Sequence, residues 1–262
     1  MKTSPTAGVQ YPVKPIAEIN ANVKIKFAAQ HLPRAALFAG VNDIRYYLNG
    51  ARIEPAPMGG VYIIGCDGHC LAIIHDKMGC MSGSTGVILR VSPGLLQACK
   101  SPGRELKGLT GGANVIITGS RVSVANDFDQ DFTSLEVFVQ AGQPWIDGTF
   151  PDYARVLPDF SKLKPGFNCS VNGHYLARFA KISPNSGKNY SGLKFWQEPV
   201  IGNHTGPVLI QHDGVPEMIA LVMPMHTDEY ELNQYRKLFE QFPAKPPKAP
   251  LPDQQPSDAA PT

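Results

Sequence analysis

Residues 61–74 read VYIIGCDGHCLAII and decide the fold class. Two short apolar runs, Val61–Cys66 and Leu71–Ile74, flank the pair Asp67-Gly68. Such a pair between two apolar runs is a strong hairpin signal, because both residues tolerate the backbone of a tight turn. The stretch therefore predicts two antiparallel strands within a β-rich core.

The segment before this hairpin predicts a strand, a helix and a further strand. Val23, Ile25 and Phe27 alternate with polar residues, which is typical of a half-buried strand. Pro33 suits the first turn of a short helix, and Gly40 suits its end. The run Tyr46–Ile53 predicts the next strand.

The same order of elements occurs twice more along the chain. The second copy has a strand at Val87–Val91, a helix from Ser92-Pro93 to Lys100, and strands at Val115–Thr118, Arg121–Ala125 and Leu135–Val139. The third has a strand at Phe167–Val171, a helix at Gly173–Ile182, and strands at Leu193–Gln197, Val208–Gln211 and Met218–Met223. The sequence thus predicts an α+β fold of repeated strand–helix–three-strand units, with antiparallel sheets outside and helices on one face.

These units suggest a division of the chain into five parts. We expect a flexible arm at 1–22, two units at 23–148, a linker with the third unit at 149–226, a charged helix at 227–242 and a Pro-rich, disordered tail at 243–262.

Composition excludes several classes of protein. Apolar residues make up 43% of the 262-residue chain and the net charge is +2, which is typical of a globular protein. No apolar run reaches the roughly 18 residues that a membrane-spanning helix needs. The N-terminus has no apolar signal segment, so we expect a cytoplasmic protein whose five cysteines are reduced.

The basic residues are concentrated near the three predicted helices. Residues 22–42, 90–107 and 173–194 are each net positive, although the whole chain is nearly neutral. A surface lined by these helices would attract phosphate groups without reading bases. The alternative is that these side chains simply solubilise exposed helix faces. The candidate DNA-facing residues are Lys24, Lys26, Arg34, Lys100, Arg104, Lys107, Arg178, Lys181 and Lys188.

Motifs of catalysis and metal binding are missing from the sequence. It has neither a phosphate-binding glycine loop nor the motif of a serine hydrolase or zinc protease. The group Cys66, His69, Cys70, His75 and Cys80 fits no standard zinc spacing, and these residues suit a hairpin instead. We therefore expect a protein that is not an enzyme and has no metal or cofactor.

Four stretches resemble the bacterial DNA polymerase III beta subunit, the sliding-clamp family. They are DIRYYLNG (43–50), DGHCLA (67–72), FPDYARVLP (150–158) and VMPM (222–225). The resemblance implies a DNA-clamp-like fold whose helices face a DNA channel. It also implies double-stranded DNA bound without sequence specificity, tethered DNA polymerase and other replication proteins, a clamp loader, and a homo-oligomeric ring.

In that family the four stretches form an apolar pocket for a partner peptide with a Gln and a Leu or Phe end. The resemblance carries the pocket over to Leu48, Gly68, His69, Leu71, Pro151, Arg155, Val156, Val222, Met223, Pro224 and Met225. Taken without the resemblance, the same apolar side chains would suit an ordinary core between units.

The chain also departs from the family pattern. Cys70 and His226 stand where the family usually has basic residues, and three units replace six. The shortening indicates a reduced clamp of phage or mobile-element origin, in which partner binding is better preserved than DNA encirclement. The alternative function is a non-encircling module, a decoy or adaptor for clamp-binding peptides.

Residues 234–239 read QYRKLF and resemble such a peptide. They form either a built-in competitor for the pocket or part of an ordinary amphipathic helix.

Overall fold

The computed structural model describes residues 23–83, 86–100, 112–126, 143–185, 192–199 and 205–225, together with the backbone strand 135–140. The predicted arm at 1–22, helix at 227–242 and tail at 243–262 lie outside the described residues. All described residues belong to the compact unit that ends at Met225. None of the described helices is long and apolar enough to cross a membrane.

Short strands dominate the described part of the chain. The strands are β1 (Lys24–Ala28), β2 (Gly50–Pro55), β3 (Val61–Cys66), β4 (Cys70–Asp76), β5 (Cys80–Met81), β6 (Val87–Arg90), β7 (Asn114–Thr118), β8 (Arg121–Asn126), β9 (Leu135–Gln140), β10 (Lys164–Pro165), β11 (Leu193–Gln197), β12 (Val208–His212) and β13 (Met218–Val222). The helices are α1 (His31–Ala36), α2 (Pro93–Lys100) and α3 (Gly173–Phe179), with 3-10 turns at Tyr46–Leu48 and Tyr153–Val156.

The strands form two antiparallel sheets. The smaller sheet has the order β5-β1-β7-β8-β9, and the larger has the order β10-β11-β12-β13-β4-β3-β2-β6. Strand β13, from the predicted third unit, pairs along its length with β4 from the first unit. This pairing joins residues that are almost 150 positions apart in the sequence and brings the segment around Met223 to the β3–β4 hairpin.

The central strands of the larger sheet are buried on both faces. Along β3, Ile63 belongs to a core that also contains α1, whereas its neighbour Ile64 belongs to a second core on the opposite face. Alternation along a strand places successive side chains on opposite faces, so a strand buried on both sides is apolar throughout. Residues from the segment 146–163 cover the second core.

Helix α1 lies directly against the hairpin. A side chain at Gly65 of β3 would collide with the carbonyl oxygen of Ala35, so the close approach requires glycine at this position. Phe38, just after α1, contacts Phe179 of α3 edge-on with ring centroids 5.1 Å apart. Both helices therefore pack on the face of the larger sheet that carries the first core.

Most predicted elements are present, with bounds shifted by a few residues. Two predicted strands differ. Tyr46–Leu48 forms a 3-10 turn and the strand starts only at Gly50, because the Asn49 side chain bonds the backbone of Asp43 and closes the loop. Phe167–Val171 is not a strand, and its one pairing is the bridge between Ser170 and Met225.

Three predicted helix bounds also differ. Pro33 is the third residue of α1 and not the first, and α1 ends at Ala36 before reaching Gly40. Helix α3 ends at Phe179 and not at Ile182. The N-cap predicted for α2 is confirmed, because the Ser92 hydroxyl accepts a hydrogen bond from the Leu95 amide at 3.2 Å. The repeat of three units and the division into five parts stay predictions.

Candidate functional site

An apolar pocket of about 210 Å³ opens at the end of the β3–β4 hairpin. It lies on the face of the larger sheet that carries the second core, between the two 3-10 turns. Its lining residues are Arg45, Tyr47, Leu48, Cys66, Gly68, His69, Cys70, Leu71, Pro151, Asp152, Tyr153, Val156, Leu221 and Met223.

The pocket has a buried floor and a partly exposed rim. Leu48, Leu71 and Leu221 form the floor, and each is at most 3% exposed. Val156 and Met223 stand at the rim with 40% and 36% of their surface exposed. Large apolar side chains that are exposed to solvent beside a buried floor form a surface suited to binding another apolar group. Covering them removes their apolar surface from water, which is favourable.

The turn 67–70 forms one wall of the pocket. The Asp67 carboxylate accepts hydrogen bonds from the amides of His69 at 2.8 Å and Cys70 at 2.7 Å. Gly68 has φ +89°, a left-handed conformation that favours glycine, and the Arg45 guanidinium occupies the space where a side chain would lie. The local sequence Asp-Gly thus builds the turn that the hairpin prediction required.

Arg45 holds this turn from the pocket side. Its guanidinium donates a hydrogen bond to the Asp67 carbonyl oxygen at 2.9 Å and forms an ion pair with Asp43 at 2.7 Å. Hydrogen bonds from Arg45 lower the pKa of Asp43 to about 2, so this carboxylate stays ionised at neutral pH.

His69 connects the turn to two other parts of the molecule. Its carbonyl oxygen accepts a hydrogen bond from the Met223 amide at 2.9 Å, which fixes the rim residue against the turn. Its ring stacks on Tyr175 of α3, with centroids 5.9 Å apart and planes inclined by 14°. The position of His69 is therefore determined by contacts with two segments that are distant in sequence, in addition to its own turn.

The opposite wall is the 3-10 turn Tyr153–Val156. The Tyr153 hydroxyl donates a hydrogen bond to Glu54 of β2, and Glu54 is also paired with Arg52 at 2.6 Å. The Arg52 guanidinium lies 5.8 Å from the ring centroid of Phe150. Burial, followed by the nearby Glu54 charge, raises the pKa of Tyr153, so the phenol remains a neutral donor in this wall.

The two cysteines in the pocket are neutral thiols. Burial raises the pKa of Cys66 and raises that of Cys70 to about 12. Among the described residues no three His, Cys, Asp or Glu side chains are grouped as metal ligands would be. Of the other cysteine and histidine residues weighed above, His75 packs against Tyr62, and Cys80 lies in the other sheet.

The structure brings together most of the residues assigned to the pocket from the sequence. Seven line it: Leu48, Gly68, His69, Leu71, Pro151, Val156 and Met223. Four do not line it. Val222 is fully buried in the first core because it faces the opposite side of β13 from Leu221. Arg155 is exposed on the 3-10 turn, Pro224 is half-buried, and the Met225 amide is bonded to Ser170.

Several lining residues were not among the sequence-based candidates. Leu221 of β13 is two positions before Met223, which directly follows this strand, so alternation would have indicated that both face the pocket. Tyr47 and Tyr153 lie within the quoted stretches DIRYYLNG and FPDYARVLP. Nothing in the local sequence shows that Arg45 reaches across 22 positions to Asp67.

The described residues among those assigned to a DNA-facing surface differ in burial and in the element that carries them. Arg34 is buried at 3% exposure, where it pairs with Glu217 at 3.0 Å and bonds the Ser183 carbonyl oxygen. Lys24 and Lys26 lie on strand β1 and not on a helix, on the face opposite the buried Ile25 and Phe27.

The other residues assigned to the DNA-facing surface fall into three groups. One forms an ion pair, two are exposed, and three lie outside the described residues. Arg178 of α3 is paired with Asp67 at 2.6 Å. Lys100 and Lys181 are exposed at or just beyond the ends of α2 and α3. Arg104, Lys107 and Lys188 lie outside the described residues.

Comparisons with known proteins gave matches only among solved structures. No family model matches the chain, and no curated protein matches it. A DNA polymerase sliding clamp from Pseudomonas aeruginosa with a ligand is 18% identical, with a TM-score of 0.47, over 85% of this chain and 70% of that one. The DNA polymerase III subunit beta from Borrelia burgdorferi in complex with a natural product is 14% identical, with a TM-score of 0.44, over 78% of this chain and 64% of that one.

Proposed function

We propose that this protein is a clamp-like, non-catalytic accessory protein that holds a short apolar segment of a replication protein in the pocket. The observation that carries the proposal is the convergence of four distant stretches on one seat, represented by Leu48, His69, Val156 and Met223. These are the stretches whose sequences resemble the sliding-clamp family.

The shape and chemistry of the pocket suit a Leu or Phe side chain. Its floor is aliphatic, and the flexible Met223 at the rim can adjust to the side chain that enters. An anchor of this kind contributes roughly 2–4 kcal/mol when it is well desolvated. Arg45 and His69 at the rim offer hydrogen-bonding groups for the polar part of such a peptide, including a Gln side chain.

The direct test measures, by fluorescence anisotropy, the binding of a labelled hexapeptide that begins with Gln and ends with Leu-Phe. The double variant Leu48→Ala plus Met223→Ala should abolish binding. Because Leu48 is 1% exposed and its truncation costs stability, Val156→Ala plus Met223→Ala provides a second variant that changes only the rim. Met78→Ala, which truncates a methionine that is 88% exposed on the turn after β4, is the matched control. Normal binding by both double variants would reject the pocket as the binding site.

Two roles toward DNA are compatible with such a pocket. A processivity factor would encircle DNA as an oligomer and tether a polymerase. A non-encircling adaptor or decoy would bind the same peptides without a ring. The positions of Arg34 and Arg178 favour the second role, since both guanidinium groups are engaged by carboxylates within the protein.

Two measurements separate these roles. A ring requires an oligomer by light scattering and retention on closed circular DNA that is lost when the DNA is cut. A monomer with equal, salt-sensitive binding to circular and linear DNA would indicate the non-encircling role.

A further inference from the structure

Arg178 is the one assigned cation of α3 that contacts the pocket wall. Its Nη2 atom lies 2.6 Å from Oδ2 of Asp67, while the other oxygen of that carboxylate caps the turn by accepting the His69 and Cys70 amides. The two side chains are only 17% and 11% exposed. The ion pair is therefore partly desolvated, and its geometry is more restricted than that of a surface pair.

The same guanidinium also lies over the ring on which His69 stacks. Its central carbon is 5.0 Å from the Tyr175 ring centroid, and the Tyr175 ring is stacked with His69. Arg178 thus contacts both supports of His69: the carboxylate that orders its backbone and the aromatic ring that orders its side chain.

Within the described part of the chain, this arrangement leaves one hydrogen-bond donor of Arg178 unsatisfied. Its Nη1 atom is buried and has no hydrogen-bond partner among the described residues. A buried donor without a partner costs free energy, so the position of Arg178 is not the one that best satisfies its own hydrogen bonds. The contacts that it keeps are those that hold the turn and the ring.

We propose that Arg178 is a positioning residue of the peptide pocket, which acts through Asp67 and Tyr175 to fix His69 and, through the His69 carbonyl, Met223. This inference rests on the proposed function of the pocket. It assigns the charge of Arg178 to peptide binding and not to a DNA-facing surface. Without Arg178, Asp67 Oδ2 would be left buried without this cation, and the carboxylate would turn toward water and release the two amides that it caps.

The test uses the full chain and the same labelled hexapeptide. Arg178→Gln should weaken binding about five- to twenty-fold, a range typical for the loss of a coupled pair. Asp67→Asn should have a similar effect, and the double variant should bind no more weakly than either single variant, since the pair acts as a unit. Arg178→Lys, which keeps the charge but not the planar group, should give an intermediate affinity.

The control is Lys77→Gln, which removes one exposed cation at the far end of β4 and should leave the affinity unchanged. Thermal unfolding of each variant checks that the fold is retained. A folded Arg178→Gln protein with wild-type affinity would overturn the assignment.

A second readout separates this inference from the proposed function. Without any peptide, the NMR resonances of the His69 ring should shift in Arg178→Gln, because the ring would leave its stack on Tyr175. Unchanged His69 resonances would overturn the positioning role. If the wild-type protein does not bind the hexapeptide, the proposed function fails, while the His69 resonances still report whether Arg178 positions the ring.

Discussion

The two ends of strand β4 carry the same chemical group in different surroundings. At one end Asp67 caps a turn and pairs with Arg178 beside the open pocket. At the other end Asp76 caps a turn in the same way, and Arg34 pairs with Glu217 next to it. Each end therefore has a turn-capping aspartate and a helical arginine paired with a carboxylate, which is Asp67 itself at one end and Glu217 at the other.

The two arginines differ in how completely they are satisfied. Arg34 bonds Glu217, the Ser183 carbonyl oxygen and Asn185, and it is 3% exposed. Arg178 leaves one nitrogen without a partner among the described residues and stands beside a solvent-exposed apolar seat. A fully bonded arginine sealed in the interior joins elements together, whereas a partly bonded one beside a pocket is suited to holding the pocket wall.

The largest expected effect tests the end of β4 at Asp76, where Arg34 is sealed in the interior; we call it the closed end. Arg34→Met removes one partner of a buried ion pair and leaves Glu217 without its cation, which should cost about 3–5 kcal/mol of unfolding free energy. Urea unfolding followed by circular dichroism measures this loss. Arg178→Gln should cost less stability than Arg34→Met, and the reverse order would contradict the contrast between the two ends.

A smaller effect is expected at the other wall of the pocket. Tyr153→Phe removes the hydrogen bond to Glu54 and leaves a partly buried carboxylate with Arg52 alone, which should cost about 1–3 kcal/mol. The same unfolding measurement detects it. Tyr62→Phe is a control that removes a hydroxyl from the neighbouring strand β3, and an equal loss there would show that Glu54 is not the reason.

Acid sensitivity should come from the closed end. Burial lowers the pKa of His31 below its ordinary value of 6.5; the Arg34 charge lowers it further, whereas the Asp76 and Glu217 charges oppose the shift. Below about pH 6.5 the unfolded chain binds a proton that the folded protein does not bind, so stability falls as the pH falls through this range.

His31→Gln should therefore flatten the decline in the urea midpoint between pH 7.5 and 5.5. Part of the slope should remain, because burial also lowers the pKa of His212. A His31→Gln protein with the wild-type slope would assign the acid sensitivity to other groups.

The smallest effects are expected from the exposed cations. Lys100→Gln and Lys181→Gln should each change the unfolding free energy by no more than about 0.5 kcal/mol, because both side chains lie in solvent. If they contact DNA phosphates, each substitution should also reduce the slope of log K against log salt by about 1. An unchanged slope for both variants would remove the two exposed helical cations from any DNA-binding surface.

The resemblance to the sliding-clamp family, and not the local pattern, supplied the pocket residues, and seven of the eleven line the cavity. The charge pattern did not indicate that Arg34 is buried. The burial of Leu71 follows from the same alternation and turn signals that predicted the hairpin. Leu48 was assigned to a strand and lies in a 3-10 turn instead, so alternation does not explain its burial. Arg34 has no such signal, because a lysine or arginine in a short helix looks the same in sequence whether it meets water or a partly buried glutamate 183 positions away.

Turn chemistry and side-chain alternation act over a few residues, so the amino-acid order was enough to predict the hairpin, the short helices and the apolar character of the segments around the pocket. The face of β13 that meets the pocket follows from long-range packing, since Leu221 faces it and Val222 does not. The tertiary structure also decided the partners of Arg34 and Arg178, because charges select their partners across space and the pairing of β13 with β4 brings those partners within reach.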